Sequence, residues 1–219
     1  MGQITMNITK NIDEFKNLRF NLYKWRYETT VVNKIVLAFS FALITALLAQ
    51  MKFYLPGNIL VPITGQTFAV LLAGVLLGKW GGVSQCIYVG MGAMGIPWFA
   101  NVTGSTIGYL FGFILAAFFL GFVTDKYIRS RSFFTILPLM FFATFALIYL
   151  PGIVYLYFYL GSIGISMGII ELLTIGVVPF ILGDIVKTFA AASVAKIISP
   201  KRAYANEADA HKAKSWNIP

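Results

Sequence analysis

The chain has 219 residues, of which 58% are hydrophobic and only 11% are charged, with a formal net charge of +9. Soluble domains carry about 25% charged residues, so this composition identifies an integral membrane protein and leaves no room for a large soluble catalytic domain. The positive balance reads as Lys and Arg gathered in cytoplasmic loops, not as a nucleic-acid surface.

Residues 1–33 form an N-terminal arm. Asp13, Glu14 and Glu28 stand among five Lys and Arg, too polar for the apolar core of a signal peptide. Phe15, Leu18, Phe20, Leu22, Tyr23 and Trp25 alternate with basic residues. The pattern leaves open a short amphipathic helix on the membrane surface and a solvated polar extension.

Residues 34–198 form the membrane domain. Six apolar segments, at about 34–51, 60–78, 82–97, 105–123, 133–157 and 179–198, predict an all-α bundle of six transmembrane helices. Between the last two, 158–178 predicts an external loop with a surface-lying or re-entrant piece, or an extension of the last helix. Residues 199–219 predict a polar cytoplasmic tail. Lys24, Arg26, Lys34, Lys79, Lys126, Arg129, Arg131, Lys196, Lys201 and Arg202 fall on one side of this arrangement. The other side carries only Lys52 and Glu171. Both termini are therefore expected in the cytoplasm of a multi-pass cell-membrane protein.

Small residues recur at helical spacing in two segments. Ala38, Ala42 and Ala46 line one face of the first, and Gly104, Gly108, Gly112 and Ala116 one face of the fourth. Such faces let helices approach closely in lipid. The fourth-segment stripe is expected to pack within the bundle, and the alanine face to meet another membrane protein.

Several chemistries find no support. Gly74-Val75-Leu76-Leu77-Gly78-Lys79 has three residues between its glycines where a phosphate loop needs four, and Trp80 follows the lysine. The single histidine, His211, sits in the tail, and Cys86 is the single cysteine. No metal, nucleotide or other cofactor is expected, and no enzyme activity.

One feature points to a ligand. Asp184 and Lys187 lie three apart in a run that holds no other ionisable residue between Glu171 and Lys196. Each charge at mid-bilayer costs about 2.5–3.5 kcal/mol on insertion scales, so intramembrane charges mark function by default. The alternative is an ion pair that only fixes helix packing. Thr64, Gln66, Trp98, Asn101 and Tyr109 fall on the same outer side. An apolar pocket with a few placed polar groups suits a small amphiphilic ligand. Lys187 would suit a carboxylate, and Asp184 and Asn101 an N–H or carbonyl group.

In order and spacing these residues resemble the BioY family, the biotin-capturing membrane subunits of energy-coupling-factor (ECF) vitamin transporters. The resemblance covers about 34–198. It rests on Pro62-x-Thr64-x-Gln66-Thr67, Gly74, Gly78, Tyr88, Gly92, Gly95-Ile96-Pro97, Gly108-Tyr109, Gly112-Phe113, Ala116-Ala117 and Pro179-Phe180-x-x-Gly183-Asp184-x-x-Lys187. It implies biotin capture from outside, with Asn101, Asp184 and Lys187 as ligand contacts. It also implies docking through Ala38, Ala42 and Ala46 on a transmembrane coupling subunit driven by separate ATPase subunits. The glycine-rich stretch that many members have between Pro97 and Gly108 is shortened here to residues 98–105. Two other readings are a proton-coupled secondary transporter of biotin or a related vitamin, with Asp184 titrating, and a membrane assembly protein without transport.

Overall fold

The structure, a computed structural model, describes residues 2–55, 58–102, 104–204 and 207–210. The chain runs through α1 (Gly2–Glu28), α2 (Val31–Gln50), β1 (Lys52–Leu55), β2 (Asn58–Thr64), α3 (Gln66–Leu77), α4 (Lys79–Ala93) and α5 (Ile107–Lys126). A 3₁₀ turn (Ile128–Arg131) precedes α6 (Phe133–Phe142), a π-helical segment (Ala143–Ile148) and α7 (Tyr149–Ser162). Then follow α8 (Ile169–Gly176) and α9 (Val178–Ile198). Among the described residues four helices are long and apolar enough to cross a membrane: α2, α5, the continuous Phe133–Ser162 rod and α9.

The second apolar segment is divided. Residues 58–64 form a strand paired antiparallel with β1, Lys52 facing Thr64 and Phe53 facing Ile63. Pro62 explains this, because proline inside a helix removes a hydrogen bond and clashes with the preceding turn. The helix begins only at Gln66, after Gly65. Gly65 N–H donates to the Leu48 carbonyl at 3.1 Å and fastens the hairpin to the end of α2.

Close helix packing follows the small residues. A Cβ at Gly108 would lie 2.3 Å from the Pro151 carbonyl oxygen, and one at Gly112 2.6 Å from the Ile148 Cα. The glycine stripe of α5 thus seats the 133–162 rod, as its spacing predicts. Gly104 takes no part, since nothing lies within 4 Å of its Cβ position. At the Gly112 end of this seat the rod widens into its π-helical segment, which holds Leu147 and Ile148. Pro151 supplies a cause: it cannot donate to the carbonyl four residues earlier, and its ring crowds that carbonyl.

The alanine face of α2, expected to meet another membrane protein, packs against the chain's own helices. Ala38, Ala42 and Ala46 are all buried within the chain's own packing. Gln85 of α4 donates to Thr45 on the same side of α2 at 3.2 Å. Small side chains are needed here to admit α3 and α4. The outward residues of α2 include Val32, Val36, Phe39, Leu43 and Leu47.

The arm is helical along most of its length, and its last turns cap other helices. Helix ends leave carbonyls without intrahelical partners. Arg19 donates to the Ile197 carbonyl of α9 at 2.8 Å, Tyr23 to Val75 of α3 at 3.2 Å, and Arg26 to Leu76 of α3 at 2.8 Å. Arg26 also pairs with Asp125 at 2.7 Å. Asp125 in turn accepts the Lys79 N–H at the start of α4, at 3.3 Å. Gly78 makes this possible. Its φ is +62°, and a Cβ there would overlap the Asp125 carboxylate.

Among the described residues of the tail, several depart from the expected solvated extension. Glu207 and Arg131 form a 3.0 Å ion pair with both side chains fully buried. Asp209 accepts the Ile128 and Arg129 backbone N–H groups at 2.8 and 3.0 Å. The Tyr204 ring packs edge-on against Tyr23 and Tyr27, each at 5.2 Å, and its hydroxyl accepts from Arg26 at 3.0 Å. Burial raises the Tyr204 phenol above its ordinary range and keeps it neutral. Residues 211–219, including His211, lie outside the described residues. Instead of a loop with a surface-lying piece alone, 158–178 begins with the end of α7 and closes with α8.

Candidate ligand cavity at the hairpin end of the bundle

A cavity of about 400 Å³ opens at the end of the bundle opposite the Arg26–Asp125 contacts. Its size lies within the range of small-molecule sites. Lining residues come from the end of α2, the hairpin, α3, α4, the 94–106 connection, α5, the rod and α9.

At its buried floor stands Asp184, 3% exposed, on the inward face of α9. Lys187, one turn further, forms an ion pair with it. Lys187 Nζ also donates to the Thr64 carbonyl at 2.8 Å. That carbonyl belongs to non-helical backbone at the hairpin–helix junction. Such backbone is tolerated at membrane depth where it lines a cavity. Tyr149 donates its hydroxyl to the other carboxylate oxygen of Asp184 at 2.5 Å. The π-helical segment immediately precedes Tyr149, and such segments are frequent at functional sites.

A second polar group is built on α3 and α4. Thr64 hydroxyl donates to Gln66 Oε1 at 2.8 Å, and Gln66 Nε2 donates to the Tyr88 hydroxyl at 2.7 Å. The Tyr88 and Phe99 rings lie 5.9 Å apart. Tyr109 Oη donates to the Gly176 carbonyl at 2.7 Å and ties α5 to the end of α8.

Six of the seven expected ligand residues meet here: Thr64, Gln66, Asn101, Tyr109, Asp184 and Lys187 all line the cavity. Trp98 does not. Its side chain is 65% exposed, and its contribution is a backbone carbonyl that accepts Gln50 Nε2 at 3.1 Å. Trp98 also has φ +76°, the only non-glycine residue with positive φ among those described.

Lys187 is not a free cation awaiting a carboxylate, because Asp184 and the Thr64 carbonyl already hold it. Lys52, Tyr88 and Tyr149 are lining residues that sequence reasoning left out of the site. Tyr88 was visible as a member of the resemblance motif. Tyr149 had no signal, since it lies within a long apolar run.

The floor can offer a carboxylate acceptor, an ammonium donor and hydroxyl groups to a polar, uncharged head, between aromatic walls. Among the described residues no group of three or more His, Cys, Asp or Glu side chains could hold a metal ion.

Comparison with known proteins matches this arrangement to one family. The sequence model of the BioY family matches residues 17–204. A probable biotin transporter BioY of Methanothermobacter thermautotrophicus is 48% identical over 157 residues, covering 68% of this chain and all of that protein. The biotin transporter BioY of Thermotoga maritima is 38% identical over 143 residues, 62% of this chain and 79% of that one. The fold is similar to the crystal structure of the S-component for biotin from an ECF-type ABC transporter. The TM-score is 0.64 at 22% identity, over 75% of this chain and 89% of that chain. The chain belongs to the BioY family.

Proposed function

We propose that this chain is the biotin-capturing S subunit of an ECF-type vitamin importer. The observation that carries the reading is the cavity floor, where Asp184, Lys187 and Tyr149 converge under aromatic walls in a chain of the BioY family. A ureido group has two N–H donors and one carbonyl acceptor. Asp184 complements the donors and Lys187 the carbonyl. Gln66, Thr64, Asn101 and Tyr109 complete the lining.

The membrane domain, 34–198, crosses six times in this reading, as α2, α3 with its hairpin, α4, α5, the 133–162 rod and α9. The 12 residues of α3 span about 18 Å at 1.5 Å per residue, so the hairpin supplies the remaining depth. Both termini lie in the cytoplasm, following the Lys and Arg asymmetry. The cavity then opens outward and receives biotin from that side. A coupling subunit and separate ATPase subunits drive release inward. Docking on the coupling subunit falls to surfaces other than the buried alanine face of α2. The family's relatives are named as transporters, which supports a non-enzymatic role.

Calorimetric titration of the purified chain in detergent with biotin and a panel of other vitamins tests the proposal. Saturable binding of biotin alone is expected. Absence of biotin binding by folded protein, or preference for another vitamin, would overturn it.

A further inference from the structure

The charged residues lining the cavity are Lys52, Asp184 and Lys187. Asp184 and Lys187 neutralise each other on the floor, so the cavity keeps one net positive charge, and Lys52 carries it. Lys52 sits at the start of β1 directly opposite Thr64. Directly opposed residues of an antiparallel pair project to the same face. Thr64 lines the cavity, and Lys52 does so from the exposed rim. Its ammonium makes no hydrogen bond or ion pair among the described residues. Lys187 differs on each count: it is half-buried, paired with a carboxylate and bonded to a carbonyl.

We propose that Lys52 is the carboxylate receptor of this site and sets its preference for an anionic ligand. The inference rests on the biotin reading and deepens it. The ureido head lies on the neutral Asp184–Lys187–Tyr149 floor, and the side-chain carboxylate reaches the rim and meets the Lys52 ammonium. The placement follows from desolvation. A carboxylate on the floor would meet Asp184 at close range, and like charges in a poorly solvated site repel strongly. At the rim the carboxylate keeps part of its hydration and gains an ammonium partner.

The test titrates wild type, Lys52→Gln and Lys52→Arg with biotin and with biotin methyl ester, which lacks the negative charge. Wild type is expected to bind biotin about tenfold more tightly than the ester, the range of one hydrogen bond to a charged group. Lys52→Gln is expected to lose that preference by weakening biotin alone, and Lys52→Arg to keep it. Biotin binding by wild type is also expected to weaken with added salt, while ester binding does not. This last measurement needs no variant to fold. A Lys52→Gln protein that still prefers biotin, or that weakens acid and ester equally, overturns the assignment. Equal salt response of the two ligands does so as well. Failure of wild type to bind either ligand overturns the biotin reading itself, a separate outcome visible before any variant is made.

Discussion

Tyr149 donates to Asp184 across a 2.5 Å hydrogen bond that joins the 133–162 rod to α9 at the cavity floor. Their separation in sequence is 35 residues. The contact depends on three features: the glycine stripe of α5 that seats the rod, the π-helical segment before Tyr149, and the inward face of α9. A carboxylate held between a phenol and an ammonium is preorganised, and a ligand N–H finds its acceptor already aimed.

Tyr149→Phe keeps the ring and removes only the donor. Biotin affinity is expected to fall about tenfold, the scale of a hydrogen bond to a charged group. Melting temperature should change little. Calorimetry and thermal unfolding on the same sample check both, and unchanged affinity would make Tyr149 a packing residue.

For the charge pair, Asp184→Asn and Lys187→Ala are each expected to weaken biotin by roughly 30-fold or more, since losing one member of a buried charge pair costs about 2–5 kcal/mol in binding. Neutralising both should not restore binding. A purely structural ion pair behaves differently: each single variant melts early, binding is spared, and the double variant recovers. Affinity and melting temperature of all three variants decide between these patterns.

Ala42→Trp is expected to lower the melting temperature and expression, because the site is fully buried against the chain's own helices. Overpacking a filled core costs about 1–3 kcal/mol, and an indole exceeds that range's usual insertions. Leu43→Trp, on the outward face, should melt like wild type. Equal tolerance of both would reopen the alanine face as an external surface.

The tail contributes to stability through one buried ion pair. Glu207→Gln leaves Arg131 without its counter-charge in a fully buried position and is expected to destabilise by about 3–5 kcal/mol. Ending the chain after Arg202 should act in the same direction, because it also removes Tyr204 and Asp209. A truncated chain with wild-type melting would show that these contacts contribute nothing.

Orientation is open to chemical labelling. In a Cys86→Ser background, Arg129→Cys should react with a membrane-impermeant thiol reagent only after the cells are opened. Gly161→Cys should react in intact cells. Labelling of position 129 from outside would turn the cavity toward the cytoplasm.

Much of the lining of the candidate cavity was legible in the sequence. Asp184 and Lys187 stand out because charge is rare in an apolar run, and the cost of burying it implies a partner. Thr64, Gln66, Asn101 and Tyr109 were named with them from the outer ends of apolar segments, and the fold does bring these together. Trp98 lies outside the cavity lining with its ring exposed, and residue type alone does not report which way a side chain faces. The hairpin was missed although Pro62 marked it, because hydropathy is the same for an apolar strand and an apolar helix.

The sequence by itself determined a membrane-embedded bundle, its family, and a charged pair needing a partner. Composition and spacing report these directly, because a charge deep in the bilayer is costly and therefore stands out in an apolar run. Tertiary structure alone decided which faces are inward. Alanine and glycine stripes look alike in sequence whether they meet their own helices or another protein. Only the packing shows Ala38, Ala42 and Ala46 closed inside the bundle. It alone shows the tail wrapped back onto Arg131 and Tyr23, and Lys187 already satisfied while Lys52 stands at the rim. The physical reason is common to all three. A side chain's partner is set by contacts between residues far apart in the chain, and local sequence does not encode which of two compatible surfaces will meet.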